Sequence, residues 1–157
     1  MMVACCAFVL ASCHTTAEKQ SMHFFSLKHF FEQESIRLAK AKQQVDKSVS
    51  HNGSFERKNS FIQDWKNELN MFTESDINKP AWRDSYRVVE DSGRISYHAQ
   101  DSNLRTRRKK KKKDIAGKPT QIDIINKTHN LLYQSREHLR YVPDSIYSID
   151  KKQHVIL

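Results

Sequence analysis

The sequence predicts an α+β fold in which two N-terminal amphipathic helices, with a small hairpin between them, pack on a C-terminal antiparallel β-meander of about five strands. Apolar residues recur at helical spacing in the first half of the chain, and after Pro80 they alternate with polar residues instead. The three glycines, at positions 53, 93 and 117, all fall where the pattern predicts a turn. Helices followed by paired strands are typical of a layered fold with the helices on one face of the sheet.

Each predicted helix carries an apolar stripe. Helix one is predicted over residues 22–44, where these side chains share one face: Phe24, Leu27, Phe31 and Leu38. Helix two is predicted over residues 61–74 from a second stripe: Phe61, Trp65, Leu69 and Phe72. Between the helices, Asn52-Gly53 predicts a hairpin, because both central residues of its turn need a positive φ.

The predicted strands follow from alternation and from the turns between them. Pro80 disfavours helix at the residue before it, which marks the change of period. Five strands are then predicted over residues 86–89, 95–99, 104–113, 122–141 (a longer strand) and 146–157. Residues 22–157 are therefore expected to form a single α+β domain.

The charge of the chain is concentrated in one segment. The net charge is +9, and residues 105–118 hold nine basic residues and one acidic residue, a net of +8. The remainder of the chain thus carries about +1. A charge so local predicts a basic patch or segment rather than a chain that is basic throughout.

The motifs of the common enzyme and metal sites are missing from the sequence. Three widely separated glycines exclude a P-loop and a dinucleotide-binding fingerprint. Neither G-x-S-x-G nor H-E-x-x-H occurs, and no two of the eight histidines lie four residues apart. The sequence therefore predicts a binding or structural domain with no catalytic residues, no metal site and no cofactor.

The N-terminus carries the most specific motif. Residues 1–11 are uncharged and mostly apolar, yet too few to span a bilayer, which takes roughly 20 residues. They fit the apolar core of a signal peptide that ends in small residues. The sequence Leu10-Ala11-Ser12-Cys13 resembles the lipobox of bacterial lipoproteins. That resemblance implies cleavage between Ser12 and Cys13 and a diacylglycerol on the Cys13 sulfur, with residues 1–12 as the signal peptide and 13–21 as the lipidated tether.

Two further features bear on the anchor. No Lys or Arg precedes Lys19, whereas signal peptides normally open with a basic residue, so we expect a translation start upstream of Met1. Cleavage would remove Cys5 and Cys6 and leave Cys13 as the only cysteine, and its thiol would carry the lipid. No thiol would then remain for a disulfide or a nucleophile.

The chain also resembles small lipoproteins of Bacteroidota that have no assigned activity. The likeness rests on the lipobox and on three segments: FFSLKHFFEQE, SDINKPAWRDSY and NLLYQSREHLRYVPDSIYSIDKKQHV. It implies an envelope location and a sheet-rich domain. Because His14 rather than Asp follows the cysteine, the resemblance implies the periplasmic face of the outer membrane. The expected partners are the membrane, through lipid on Cys13, and an envelope protein or anionic lipid.

The basic segment allows three interpretations. It comprises Arg105, Arg107, Arg108, Lys109, Lys110, Lys111, Lys112 and Lys113. It could be a solvated strand at a sheet edge, where lysines discourage aggregation, or a site for an anionic surface. It could also be a nuclear or nucleic-acid-binding segment, although it contains none of the aromatic residues on which bases stack. Two function classes follow: an envelope lipoprotein, and a basic protein associated with nucleic acid.

Overall fold

The computed structural model describes residues 23–156, in which eight strands form two antiparallel sheets. A helix and a two-stranded hairpin come first, two single helical turns and a 3-10 turn follow, and a six-stranded sheet completes the chain. The predicted signal peptide, Cys13 and the tether lie outside the described residues.

Helix α1 spans Leu27–Ala41. It begins at Ser26, whose hydroxyl accepts a hydrogen bond from the backbone N–H of His29 at 3.1 Å. It ends at Lys42, which has a left-handed backbone (φ 47°). Leu27 and Phe31 are buried on one face of the helix and fix that face against the sheet.

The hairpin predicted at Asn52-Gly53 is present. Strands β1 (Gln44–His51) and β2 (Ser54–Phe61) pair antiparallel over their whole length. Asn52 and Gly53 both have positive φ, 47° and 86°, as a two-residue turn between twisted strands requires.

The second predicted helix is wrong. Phe61 ends β2, and the chain then makes two separate single turns, α2 (Trp65–Glu68) and α3 (Asn70–Thr73). The break falls at Leu69, whose backbone (φ −94°, ψ 7°) leaves the helical region. The apolar spacing reflects which residues are buried and not a continuous helix. Leu69 is fully buried, whereas Phe61, the first residue of the predicted stripe, is 57% exposed.

The meander has six strands rather than about five. In chain order they are β3 (Tyr86–Asp91), β4 (Arg94–Ala99), β5 (Thr106–Lys113), β6 (Pro119–His129), β7 (Tyr133–Val142) and β8 (Ile146–Val155). Each pairs antiparallel with the next, so sequence order and sheet order coincide. The longer strand predicted over 122–141 is divided by a turn at 130–132, which the local sequence Asn130-Leu131-Leu132 did not signal with a glycine or proline.

The predicted α+β class is therefore wrong, and the described residues are mostly β. Within residues 23–156, α1 is the only helix longer than four residues. The first predicted helix is shorter than expected, since α1 covers less than 22–44 and β1 begins at Gln44. Tertiary pairing outweighed the good helix propensity of the residues around Ala41.

Two apolar clusters hold the helical elements on one face of the sheet. The first joins α1, α2 and α3 to β6 and β7, with Phe31 and Tyr141 in edge-to-face contact at 5.0 Å. The second joins Phe24 and Ile77 to β3 and β4 through Tyr86 and Tyr97. Every sheet residue in both clusters points to this side, which we call the helical face. The opposite side we call the open face; no described residue of the helical elements packs on it.

Candidate anionic-surface interface

The basic segment forms strand β5, and β5 lies inside the sheet. It pairs with β4 on one side and with β6 on the other. The expectation of a solvated edge strand is therefore wrong. An interior antiparallel strand sends alternate side chains to opposite faces, so the basic residues are divided between two environments.

Lys109 and Lys111 point to the helical face and fill the space between the two apolar clusters. Lys109 stands opposite Tyr97 on β4 and Ile124 on β6, and it is fully buried. Its ammonium donates a hydrogen bond to the carbonyl oxygen of Phe25 at 2.6 Å and lies 4.2 Å from the centre of the Tyr97 ring. The Lys111 ammonium lies 4.3 Å from the centre of the Phe25 ring. The alkyl stems thus act as core and the charges are satisfied locally.

Burial changes the acid–base behaviour of Lys109. Removal from water lowers the pKa of Lys109 from 10.5 to about 7. The Asp76 carboxylate opposes this lowering of the pKa, while Lys111 adds to it. Lys109 is thus held inside the protein by specific contacts and is not available to a partner.

Three other members of the segment are engaged within the protein. Arg105 donates to the buried Glu137 carboxylate at 2.9 Å. Arg107 donates to the carbonyl oxygen of Asp101 at 2.8 Å, at the point where β5 is irregular. Lys113 pairs with Glu90 at 2.7 Å. These contacts tie β5 to its neighbours, so these three residues are structural.

Arg108, Lys110 and Lys112 are left, and they lie on the open face. Their cross-strand neighbours on β4 are His98, Ser96 and Arg94 in that order. Directly opposed residues in an antiparallel pair share a face, so these side chains line one surface. Only three of the eight predicted residues therefore belong to the candidate interface.

The register assembles a larger basic surface than the segment alone. The open face carries nine basic side chains: Arg87, Arg94, Arg108, Lys110, Lys112, Lys127, Arg136, Arg140 and Lys152. It carries three acidic ones: Asp91, Asp123 and Asp150. The surplus of six positive charges is spread over a pleated surface. Sequence reasoning missed the six basic residues outside β5, although strict alternation along β7 was a signal for Arg136 and Arg140.

The positive charges of this surface affect the pKa of His98. Partial burial, followed by the charges of Arg87, Arg108 and Lys110, lowers the pKa of His98 below its usual 6.5. All three cations lie on the open face, Arg87 on β3 and Arg108 and Lys110 on β5, the two strands that flank the β4 strand of His98.

A groove of about 400 Å³ lies beside the β1–β2 hairpin and α2. Two of its charged lining residues, Lys47 and Glu68, are paired at 2.8 Å, and the Tyr147 hydroxyl donates to Glu68 at 2.8 Å. Within residues 23–156, no group of three or more His, Cys, Asp or Glu side chains is arranged to hold a metal ion. No helix in that range is long and apolar enough to cross a bilayer.

No family model, curated protein or solved structure matches the chain.

Proposed function

We propose that the chain is an envelope lipoprotein, anchored through lipid on Cys13, whose folded part binds the surface of an anionic phospholipid membrane with the open face of its sheet. The observation that carries the binding role is the surplus of six positive charges on that face. The lipobox at Leu10-Ala11-Ser12-Cys13 supports the anchor and, with His14, the periplasmic face of the outer membrane as its location.

Electrostatics favours a membrane surface as the partner. A basic residue close to an anionic bilayer contributes roughly 1 kcal/mol, and the contribution vanishes beyond a screening length of about 8 Å at physiological salt. One face of an ordered sheet can bring several neighbouring basic residues within that distance at once. Because the strands are already ordered, little conformational entropy is lost on binding.

The tether is long enough for this orientation. The described chain begins on the helical side, since Phe24 packs with Tyr86 and Tyr97 there. His23 is ten positions after Cys13, and an extended chain over that interval reaches about 33–36 Å. A helix with its side chains is about 10–12 Å across. The tether is therefore long enough to pass round the sheet, so that the open face can lie on the lipid head groups.

Nucleic acid is the weaker alternative. Single-stranded nucleic acids are bound on sheets by aromatic side chains that stack on the bases. No Phe, Tyr or Trp points to the open face from any described strand of the six-stranded sheet. A group of cations without stacking groups suits phosphate groups in a bilayer better than bases.

We propose binding rather than catalysis because the buried acidic side chains are already engaged in hydrogen bonds within the protein. Glu34 accepts hydrogen bonds from Arg37 and from the Tyr141 hydroxyl, beneath α1. Glu137 accepts from Arg105 and from Asn126 inside the sheet. These carboxylates hold the helix and the strands together.

A pair of charge-matched variants tests the binding role. Both are made in the full chain carrying Cys13→Ala, so that lipid cannot contribute. The first combines Arg108→Gln, Lys110→Gln and Lys112→Gln on the open face. The second combines Lys28→Gln, Lys40→Gln and Lys66→Gln on exposed helical positions. Binding is measured by co-sedimentation with vesicles of phosphatidylglycerol and phosphatidylcholine.

We expect the open-face variant to bind about 100-fold more weakly, from roughly 1 kcal/mol for each of three residues. The helical variant should change affinity only a few-fold, because its charges lie beyond the screening length when the open face is docked. Equal losses in both variants would show that only net charge matters and would contradict the proposal. Tight, sequence-selective binding of RNA or DNA at physiological salt would favour the alternative.

A further inference from the structure

The turn between β6 and β7 displays two leucines to solvent at one end of the sheet. Leu131 is 93% exposed and Leu132 is 72% exposed. The last described residues of β8 lie beside them, since the backbone N–H of Ile156 donates to the carbonyl oxygen of Leu132 at 2.9 Å. Val155 and Ile156 are themselves 55% and 39% exposed. Four aliphatic side chains therefore form an apolar tip, which we define as Leu131, Leu132, Val155 and Ile156.

The exposure of the tip is built into an ordered turn. The Asn130 side-chain oxygen accepts hydrogen bonds from the backbone N–H groups of Leu132 and Tyr133, each at 2.9 Å. The Asn130 N–H donates to the carbonyl oxygen of Tyr133 at 3.1 Å. An Asx turn of this kind fixes the backbone without help from the leucines. The leucines are therefore not needed to shape the turn.

A row of cations crosses the open face just behind the tip. Arg136 on β7 stands opposite Lys127 on β6 and opposite Lys152 on β8. Lys127 lies three residues before Asn130, which places the row about 10 Å from the turn at the rise of an extended strand. No acidic residue stands in this row.

We infer that the apolar tip inserts into the outer part of an anionic bilayer while the row Lys127–Arg136–Lys152 rests on the lipid phosphates. This inference rests on the proposed membrane-binding function and specifies which end of the sheet enters the bilayer. Apolar side chains that bind at an interface reach about 5–10 Å into the boundary of head groups and acyl chains. With the open face against the bilayer and the sheet tilted towards this end, the tip reaches that depth while the row stays at the phosphates, whose charge it complements. A protein partner would match the apolar side chains but would leave three neighbouring cations without counter-charges.

Probe fluorescence tests the depth of the tip. The full chain carries Cys5→Ser, Cys6→Ser and Cys13→Ala, and a single cysteine is introduced as Leu131→Cys and labelled with a polarity-sensitive NBD group. The matched control is Ile115→Cys, since Ile115 is equally exposed but sits in the β5–β6 turn at the opposite end of the sheet. With equimolar phosphatidylglycerol and phosphatidylcholine vesicles, we expect the emission to shift to the blue at position 131 and to stay unchanged at position 115.

Affinity gives a second measurement. Leu131→Ser with Leu132→Ser should weaken binding to the same vesicles about tenfold, because less apolar area leaves water. Ile115→Ser should leave it unchanged. All three positions are exposed, so thermal melting should not be affected.

The outcomes separate this inference from the proposal beneath it. If the parent chain does not bind anionic vesicles, both are overturned. If it binds, but the probe at 131 stays in water and the double serine variant binds normally, the open face holds and the tip inference alone is overturned. A dimer in sedimentation analysis that the double serine variant abolishes would assign the tip to self-association and would likewise overturn it.

Discussion

Lys109 shows how a lysine can belong to the interior of a sheet. Its four methylene groups fill space between two apolar clusters, and its ammonium is held by one carbonyl oxygen and one aromatic face. The neighbouring Asp76 supplies a negative charge, which opposes the cost of burial. A single sequence cannot reveal this, since Lys109 stands among four more lysines that look alike. Only its position opposite Tyr97 and Ile124 distinguishes it.

Substitution of Lys109 should change how stability depends on pH. The pKa of Lys109 is about 7 in the folded protein and 10.5 when it is exposed, so between these values the unfolded chain binds more protons. The free energy of unfolding therefore rises with pH in that window, by about 2 kcal/mol between pH 7 and pH 9 at 1.36 kcal/mol per proton and pH unit. The Lys109→Met variant should lack this rise. Urea unfolding at pH 7, 8 and 9 measures it.

Lys110→Met provides the control for that measurement. Lys110 is the next residue on the same strand but lies on the open face, so its variant should keep the rise. Above pH 9 the comparison is less clean, because burial raises the pKa of Tyr86 to about 12 and ionisation of tyrosine in the unfolded chain then lowers stability. Identical pH dependence in wild type and Lys109→Met would show that Lys109 titrates as an ordinary lysine.

At the level of elements, the turns that contain a glycine were predictable and the second helix was not. Asn52-Gly53 and Ser92-Gly93 each place two residues at positive φ, a requirement so restrictive that the dipeptides identify the turn. The residues 65–73, in contrast, have helical spacing because they line the core, and the chain satisfies that spacing with two short turns. Apolar periodicity reports which side chains are buried and leaves open how the backbone brings them there.

Asp76 lies in the loop after α3 and holds that loop to the start of α1. Its carboxylate accepts hydrogen bonds from the Ser26 hydroxyl at 2.8 Å, from the Lys28 N–H at 2.6 Å and from the Asn78 N–H at 2.8 Å. Burial raises the pKa of Asp76, but these hydrogen bonds outweigh it and hold the pKa below its usual value. No sequence pattern predicts this contact, because Ser26 and Asp76 are 50 residues apart.

We expect Asp76→Asn to lower the free energy of unfolding by about 2–3 kcal/mol at pH 7, because the amide NH₂ would face donors that the carboxylate accepts. The folded pKa lies below the unfolded value of 3.8, so the contribution of Asp76 is complete above that value and is lost as pH falls below it. The difference between wild type and variant should therefore shrink at pH 3. Denaturant unfolding at both pH values measures it.

Asp64→Asn is the matched control for the Asp76 substitution. Asp64 caps α2 with one bond, to the Asn67 N–H at 3.0 Å, and it is exposed. Asparagine caps a helix as well as aspartate, so this variant should stay within about 0.5 kcal/mol of wild type. A similar small effect for Asp76→Asn would contradict the role assigned to Asp76.

At the scale of the whole molecule, the sheet divides the basic side chains into two groups, one on the helical face and one on the open face. The composition located a basic segment, and the interpretation as a site for an anionic surface stays a prediction. What composition could not supply was the division of that segment by the pleat, which turns Lys109 inward and Lys110 outward. Nor could it supply the six basic residues outside β5, which lie singly in the sequence and become neighbours only through the register of six strands.

Anchor and open face should act together on one membrane. In the proposed lipoprotein, two acyl chains on Cys13 would hold the chain firmly, at about 0.8 kcal/mol per buried CH₂, and their contribution would not respond to salt. The attraction between the open-face cations and the bilayer does depend on salt, because at 1 M salt charges more than about 3 Å apart are screened from each other. Tethering raises the local concentration of the face at the bilayer, so the two contributions multiply.

The full chain, expressed in a bacterium behind an added basic start of the signal peptide, tests this cooperation. Wild type should incorporate an acyl-chain probe and stay with the membrane fraction in 1 M salt. Cys13→Ala should lose the label and be released by salt, and adding the open-face changes at Arg108, Lys110 and Lys112 should release it at low salt as well. Cys6→Ala, which alters a nearby cysteine of the predicted signal peptide, should behave as wild type. Equal labelling of Cys13→Ala and wild type would end the lipoprotein proposal, whereas salt-resistant retention of unlabelled Cys13→Ala would show that something other than lipid and charge holds the protein to the membrane.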